Sequence, residues 1–460
     1  MSVSGPLAPP EPRGAPEPSL AAGTRVLSVG IASTGIFTFA YLASASHVLT
    51  PRAYSRVSLC WAVMFVILSV IYRPIEQLLS RTIAERRAQG IAAHPLRVPA
   101  VLQAGFAAAF LAAALAARGP IERGMFGGSS VLYRVLVVGV LAYAGSYFAR
   151  GWLAGHRAFA LYGALVFLES VSRFCLALAV VVGLGGGLTL VALGMAVAPF
   201  VSLAVMPAAW ALARRPTADA AAVATRPADA EPGGVRSLTL RHGGGFATSV
   251  VAIMLSEQTL MNAGVLVAAA SVGTTDLNGG LVGFVFNVML IVRAPLQLFQ
   301  AIQTSILPHL TGLETRRDVR AVRRAIRVTV AATGGFGLAV ALGLLAIGPA
   351  VMGVVLGHKG FHYGRFGLAA VGLGMGLHLI AGTFNQAALA RGHAGRAAVC
   401  WLACAAAFLG FQIAPAVAGR VARVELGYCG ATALLALALW AVYRLGRRSQ
   451  TAPAASASAA

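Results

Sequence analysis

Acidic side chains are scarce in this chain: 14 Asp and Glu stand against 36 Lys and Arg. A carboxylate metal centre needs several such groups close together, and no acidic cluster occurs. Charge of either sign is thin, at 11% of residues, while hydrophobic residues make up 58% and mean hydropathy is +0.79. No soluble domain needs so much apolar surface, so the composition is that of a multi-spanning membrane protein. Cysteine is sparse as well. The five present (Cys60, Cys175, Cys400, Cys404 and Cys429) fall within apolar runs. Cys400 and Cys404 share a helix face but have no His or acid beside them to complete a metal site. All read as buried free thiols, with no disulfide implied.

Signatures of catalysis are missing too. There is no Walker lysine motif and no nucleotide-binding glycine loop, and the triple glycine at 185–187 falls in a short outer turn. The outer loops offer only Glu122, Asp276 and Glu425, scattered, which argues against a membrane glycosyltransferase. No enzyme and no cofactor is indicated. The net charge of +22 would suggest nucleic acid on a soluble domain. Here the arginines sit between apolar runs, where they set topology, and nucleic acid is excluded as a partner.

What the sequence does contain is windows of about 20 apolar residues, the length a helix needs to cross the hydrocarbon layer. Twelve are predicted: 26–47, 57–79, 98–117, 131–148, 159–184 and 188–213, then 246–272, 281–308, 328–356, 366–390, 397–417 and 426–443. The expected organisation is a disordered cytoplasmic N-terminus at 1–24 and a six-helix lobe at 25–213. A Pro/Asp/Thr-rich cytoplasmic linker at 214–243, a second six-helix lobe at 244–445 and a disordered tail at 446–460 follow. The run from Val26 is too long for a signal-peptide core and stays as the first span. With both termini in the cytoplasm, inner segments hold about 24 of the 36 Lys and Arg and outer loops about eight.

Two echoes tie the halves together. IYRPIEQLLSRTI at 71–83 recurs in outline as IVRAPLQLFQAIQTSILPHL at 291–310, each with Arg, Pro and Gln inside an apolar run. Leu153-Ala154-Gly155-His156-Arg157 recurs as Leu389-Ala390-Arg391-Gly392-His393, with Arg396 just beyond. Both offsets are about 220 to 240 residues in the same order, as in parallel repeats around a central cavity. The segments SRTIAERRAQG and ETRRDVRAVRRAIRV, after spans 2 and 8, are basic and amphipathic, suited to lying against anionic headgroups or to signalling topology.

Ionisable groups inside the spans are costly and therefore informative. Glu169 and Arg173, four apart on one face of span 5, form either a structural pair or a pair lining the cavity. Glu257 in span 7 has no basic neighbour one turn away; Arg293 is its nearest candidate partner by chain order. Arg73 and Arg293 each precede a helical proline, which kinks a helix and exposes carbonyls to a cavity. Arginine's planar fork suits phosphate oxygens, although Arg73 could also snorkel to the interface. Gln300, Gln303, Asn385 and Gln386 add neutral donors and acceptors, for a sugar or for interhelical bonding. Arg134 reads as snorkelling at the outer end of span 4, and His378 as a satisfied packing residue.

The run RPIEQLLSRTIAERRAQG, the segment RGWLAGHRAFALYG and the helix RAPLQLFQAIQTSILPHL together resemble the flippase superfamily. That group includes multidrug-extrusion (MATE) proteins, Wzx-type polysaccharide exporters and the peptidoglycan-precursor flippase; the last run looks most like the polysaccharide exporters. The resemblance implies an all-α polytopic membrane protein, with two parallel six-helix lobes around a central cavity in the cell membrane. It implies alternating-access translocation of a polyprenyl-diphosphate-linked oligosaccharide for cell-surface polysaccharide or lipopolysaccharide biosynthesis. On that basis Arg73, Arg173 and Arg293 meet the diphosphate, Gln300, Gln303 and Asn385 line the cavity, and Glu257 and Glu169 serve coupling or charge pairing. The implied partners are the lipid-linked glycan, anionic membrane lipids and polysaccharide-assembly enzymes. A cation-coupled MATE-type antiporter is the alternative: span 1 lacks an acid, but span 7 supplies Glu257. A major-facilitator transporter matches less well, because Arg81 and Ala88 stand where its loop between spans 2 and 3 has glycines.

Overall fold

The computed structural model describes residues 20–88, 96–213, 240–276, 280–293, 295, 296, 299, 319–357, 362–414 and 417–451. Every regular element among them is helical. In lipid no water is present to take up free backbone groups, so a chain of this composition satisfies its peptides within helices. The first six helices are α1 (Leu20–Val48), α2 (Pro51–Ala88), α3 (Arg97–Ala116), α4 (Ser130–Gly155), α5 (Phe159–Val181) and α6 (Gly187–Ala211). A 3-10 turn at Leu203–Val205 interrupts α6, and a π-helical turn at Pro120–Met125 joins α3 to α4. The second six are α7 (Leu240–Asp276), α8 (Leu281–Arg293), α9 (Val319–Leu356), α10 (Arg365–Ala390), α11 (Ala394–Ile413) and α12 (Arg420–Thr451).

Ten of these are long and apolar enough to cross a membrane, and α8 is a shorter apolar helix over its described residues. Over their described residues the expected spans coincide with helices, but the edges differ, and the eighth span lies outside the described residues from 300 on. The first helix begins at Leu20, inside the stretch expected to be disordered, and α12 runs on to Thr451, into the expected tail. The expected linker lies outside the described residues up to 239, and its last residues already belong to α7.

Larger differences concern the basic segments and Glu425. No separate in-plane helix follows α2 among the described residues, and the described part of the second basic segment, from Val319, is the start of α9. Each of these helices has 38 residues. At 1.5 Å per residue that is roughly 57 Å, against a hydrocarbon layer of about 30 Å. The basic ends are overhangs of the spanning helices. In α9 the arginines 320, 323, 324 and 327 point away from the core while Val322 and Ile326 are buried. Glu425, expected in an outer loop, is a buried residue of α12 seated against Gly367 of α10.

Helix pairing repeats with an offset of six. In the first lobe α1 packs on α5, α3 on α4, α4 on α6 and α5 on α6; in the second, α7 packs on α11, α9 on α10, α10 on α12 and α11 on α12. The same fold is thus used twice in parallel. Between the lobes α2 packs on α7, and α1 on α9.

Glycine sets the closest approaches. Gly337 of α9 and Gly376 of α10 meet backbone to backbone: a Cβ on Gly376 would lie 2.7 Å from the Gly337 Cα. Gly376→Val should therefore cost about 1–3 kcal/mol through overpacking, whereas Gly335→Val, with nothing within 4 Å of its Cβ position, should not. Thermal melting of the two variants in detergent checks this, with a lower midpoint for the first only.

Candidate functional site

The densest polar cluster lies inside the first lobe. On α4, Tyr143, Ser146 and Arg150 recur at helical spacing and so share one face, which α5 meets with Glu169 and Arg173. The Tyr143 hydroxyl donates to Glu169 Oε1 at 3.0 Å, and Ser146 Oγ donates to Oε2 at 3.3 Å. Arg150 Nη2 pairs directly with Oε2. Arg173 lies 3.4 Å from the same carboxylate and donates to the Tyr143 hydroxyl at 3.0 Å. Its guanidinium also lies 5.1 Å from the Trp61 ring centre on α2, a favourable cation–π position. The relative exposures are 3% for Glu169, 2% for Arg173 and 9% for Arg150. One carboxylate thus serves two guanidinium groups out of water.

The i,i+4 pairing of Glu169 with Arg173 therefore exists, but Arg150 is the closer partner. The sequence reading misses it because the predicted fourth span stops at 148, whereas α4 continues to Gly155. Arg173 belongs to the interior of this lobe. Nearby, the Tyr162 hydroxyl donates to Glu76 Oε1 at 2.8 Å.

At the junction of the lobes the charges sort differently from chain order. Arg73 on α2 lies in the field of two carboxylates, Glu257 on α7 and Glu76, with Glu257 the stronger. Arg293 instead donates to Asn262 Oδ1 at 2.7 Å and to the Met261 carbonyl at 3.2 Å, both on α7, and lies 5.0 Å from the Phe286 ring centre. Among the described residues its hydrogen-bond partners are all neutral, and its Nε is buried without one. Parallel packing sets α2 against α7, which brings Arg73, remote in sequence, into the field of Glu257.

Asn385 accepts from Trp401 Nε1 at 3.1 Å, between α10 and α11. His378 Nδ1 and the Tyr428 hydroxyl are hydrogen-bonded at 2.9 Å, a satisfied packing arrangement within the second lobe. Gln300 and Gln303 lie outside the described residues. Among the described residues no group of three His, Cys, Asp or Glu converges to hold a metal ion.

At the end of the bundle where α1 stops and α2 starts, the lobes touch through side chains. Tyr54 donates to Asn287 Oδ1, Ser46 Oγ to the Leu356 carbonyl, and the Gly283 N–H to Ser55 Oγ at 3.0 Å. Ser46, Tyr54, Gly283, Asn287 and Leu356 border a small cleft that Phe284 and Tyr363 also line.

Two six-helix lobes in parallel make up this chain, and its fold is that of MATE transporters. Among solved structures it is similar to a mutant form of the Vibrio cholerae MATE transporter VcmN, with a TM-score of 0.59 and 17% identity over 94% of this chain and 97% of that one. An outward-facing multidrug resistance MATE family transporter of the MOP superfamily matches with a TM-score of 0.62 and 16% identity, over 96% and 98% of the two chains. A MOP superfamily transporter from Pyrococcus furiosus, described as having a binding pocket of reverse polarity that suggests a different function, matches at 0.61 and 14%, over 94% and 96%. No family model matches the chain, and no curated protein matches it by sequence.

Proposed function

We propose that this chain is a transporter of the cell membrane, with both termini cytoplasmic, that moves a polyprenyl-diphosphate-linked oligosaccharide across the bilayer by alternating access. The observation that carries this reading is Arg293. A guanidinium on α8 held, among the described residues, by a carbonyl and an amide of α7 rather than by a carboxylate keeps its full charge for an incoming anion, and its fork suits phosphate oxygens. Arg73 supplies a second cation, which Glu257 holds until the anion arrives. Arg173 supports the site from within the first lobe, through Glu169. Anionic lipids around the arginine overhang of α9 and polysaccharide-assembly enzymes are the partners this reading implies.

A cation-coupled drug antiporter is the second reading, favoured by Glu257 in α7 as a carboxylate that could take the coupling ion, and by the drug transporters that share the fold. The test is reconstitution into liposomes with a fluorescent polyprenyl-diphosphate glycan on one leaflet and, separately, with a cationic dye. Protein-dependent exposure of the glycan to an impermeant quencher is the expected result. Dye movement without glycan movement would replace the first reading with the second.

A further inference from the structure

We propose that Asn287 keys a latch that holds the outer ends of the two lobes together, and that the lobes part there only when its bond to Tyr54 is given up. Outer, here, rests on the orientation with cytoplasmic termini. The hydrogen bonds form one directed chain. Tyr54, on α2 of the first lobe, donates to Asn287 Oδ1; Asn287 Nδ2 donates to the Tyr363 hydroxyl at 3.2 Å; Tyr363 donates to the Gly357 carbonyl at 3.3 Å. Each hydroxyl has a single proton to give, so the chain runs one way and the Asn287 amide has one orientation. Burial pushes the Tyr363 hydroxyl above the usual phenol range, so it remains a donor at physiological pH.

Two flanking bonds cross the same seam, from Ser46 on α1 to the Leu356 carbonyl on α9 and from the Gly283 N–H on α8 to Ser55 on α2. The seam is tight because position 283 is glycine: a Cβ there would lie 2.7 Å from Tyr54 Cδ1. Tyr363 is held in turn by the Phe284 ring, stacked at a centroid distance of 4.6 Å.

On opening, each of these bonds is exchanged for one to water, which shifts an equilibrium by about five- to tenfold. Three crossing bonds together favour the closed state by about a hundredfold or more. That is enough to make closure the resting condition, and small enough for a bound substrate to overcome.

The test uses full-length protein with its five cysteines (Cys60, Cys175, Cys400, Cys404 and Cys429) replaced by serine or alanine. Leu356→Cys is the reporter: its side chain is 0% exposed, and its carbonyl still accepts from Ser46. A membrane-impermeant maleimide is applied to intact cells and, separately, to inverted vesicles. With the latch intact, labelling from outside should be slow. Asn287→Leu and Tyr54→Phe should each raise its rate about five- to tenfold, and Gly283→Val, as a wedge between the lobes, should raise it as well. Tyr54→Phe removes one oxygen atom and should leave membrane levels and melting unchanged, which separates a lost latch from a lost fold. Equal rates in all variants, or fast labelling with the latch intact, would overturn the proposal. A rise seen only in inverted vesicles would overturn the orientation on which it rests, leaving the seam itself in place.

Discussion

Replacing Glu169 with leucine will destabilise the protein by about 3–5 kcal/mol, enough to lose the folded first lobe. The substitution leaves the guanidinium groups of Arg150 and Arg173 buried side by side with no anion between them. Removing one partner of a buried ion cluster costs far more than the cluster contributes, because the remaining charges stay out of water. The triple variant Arg150→Met, Glu169→Leu, Arg173→Met removes all three charges, preserves volume, and should recover most of the loss. Melting midpoints in detergent decide the matter: a deep fall for the single variant and a shallow one for the triple. Equal falls would mean that the bonds from Tyr143 and Ser146 to the carboxylate, lost in both variants, matter more than the ions.

Arg293 predicts the opposite pattern. Its partners are neutral, so Arg293→Gln strands no buried charge and should melt close to the parent protein. Binding should suffer instead. Hydrogen bonds to a charged group contribute about 1.5–3 kcal/mol, so affinity for a polyprenyl diphosphate in nanodiscs should fall by roughly ten- to a hundredfold. Arg293→Lys, which keeps the charge and loses the fork, should fall between. A lower melting point with unchanged affinity would assign Arg293 to packing and remove the main support for an anionic substrate.

The two predictions differ because the sequence shows which residues are charged but not what faces them. Twelve spans were legible from apolar windows, since lipid demands about 20 such residues whatever their neighbours. The duplication was legible as well, from Arg, Pro and Gln recurring at 71–83 and 291–310, and its structural counterpart is the shared pairing pattern of the lobes. The Glu169 and Arg173 pair followed from helical spacing alone. Hydropathy windows erred where helices continue past their apolar stretch, as at Arg150 on α4 and Glu425 on α12. The partner of Glu257 was beyond reach for another reason. Chain order favours α8, whereas the parallel arrangement brings α2, in the other lobe, against α7. Tyr54, Asn287 and Tyr363 gave no signal at all, because ordinary polar residues near helix ends acquire meaning only when two distant ends meet.

The halves share a plan but not a polarity. In the first, sliding α4 along α5 would pull opposite charges apart in a medium that screens them poorly. In the second, the equivalent layer joins an imidazole to a phenol and an indole to an amide. The same layer is thus fastened by ions in one half and by ring and amide hydrogen bonds in the other.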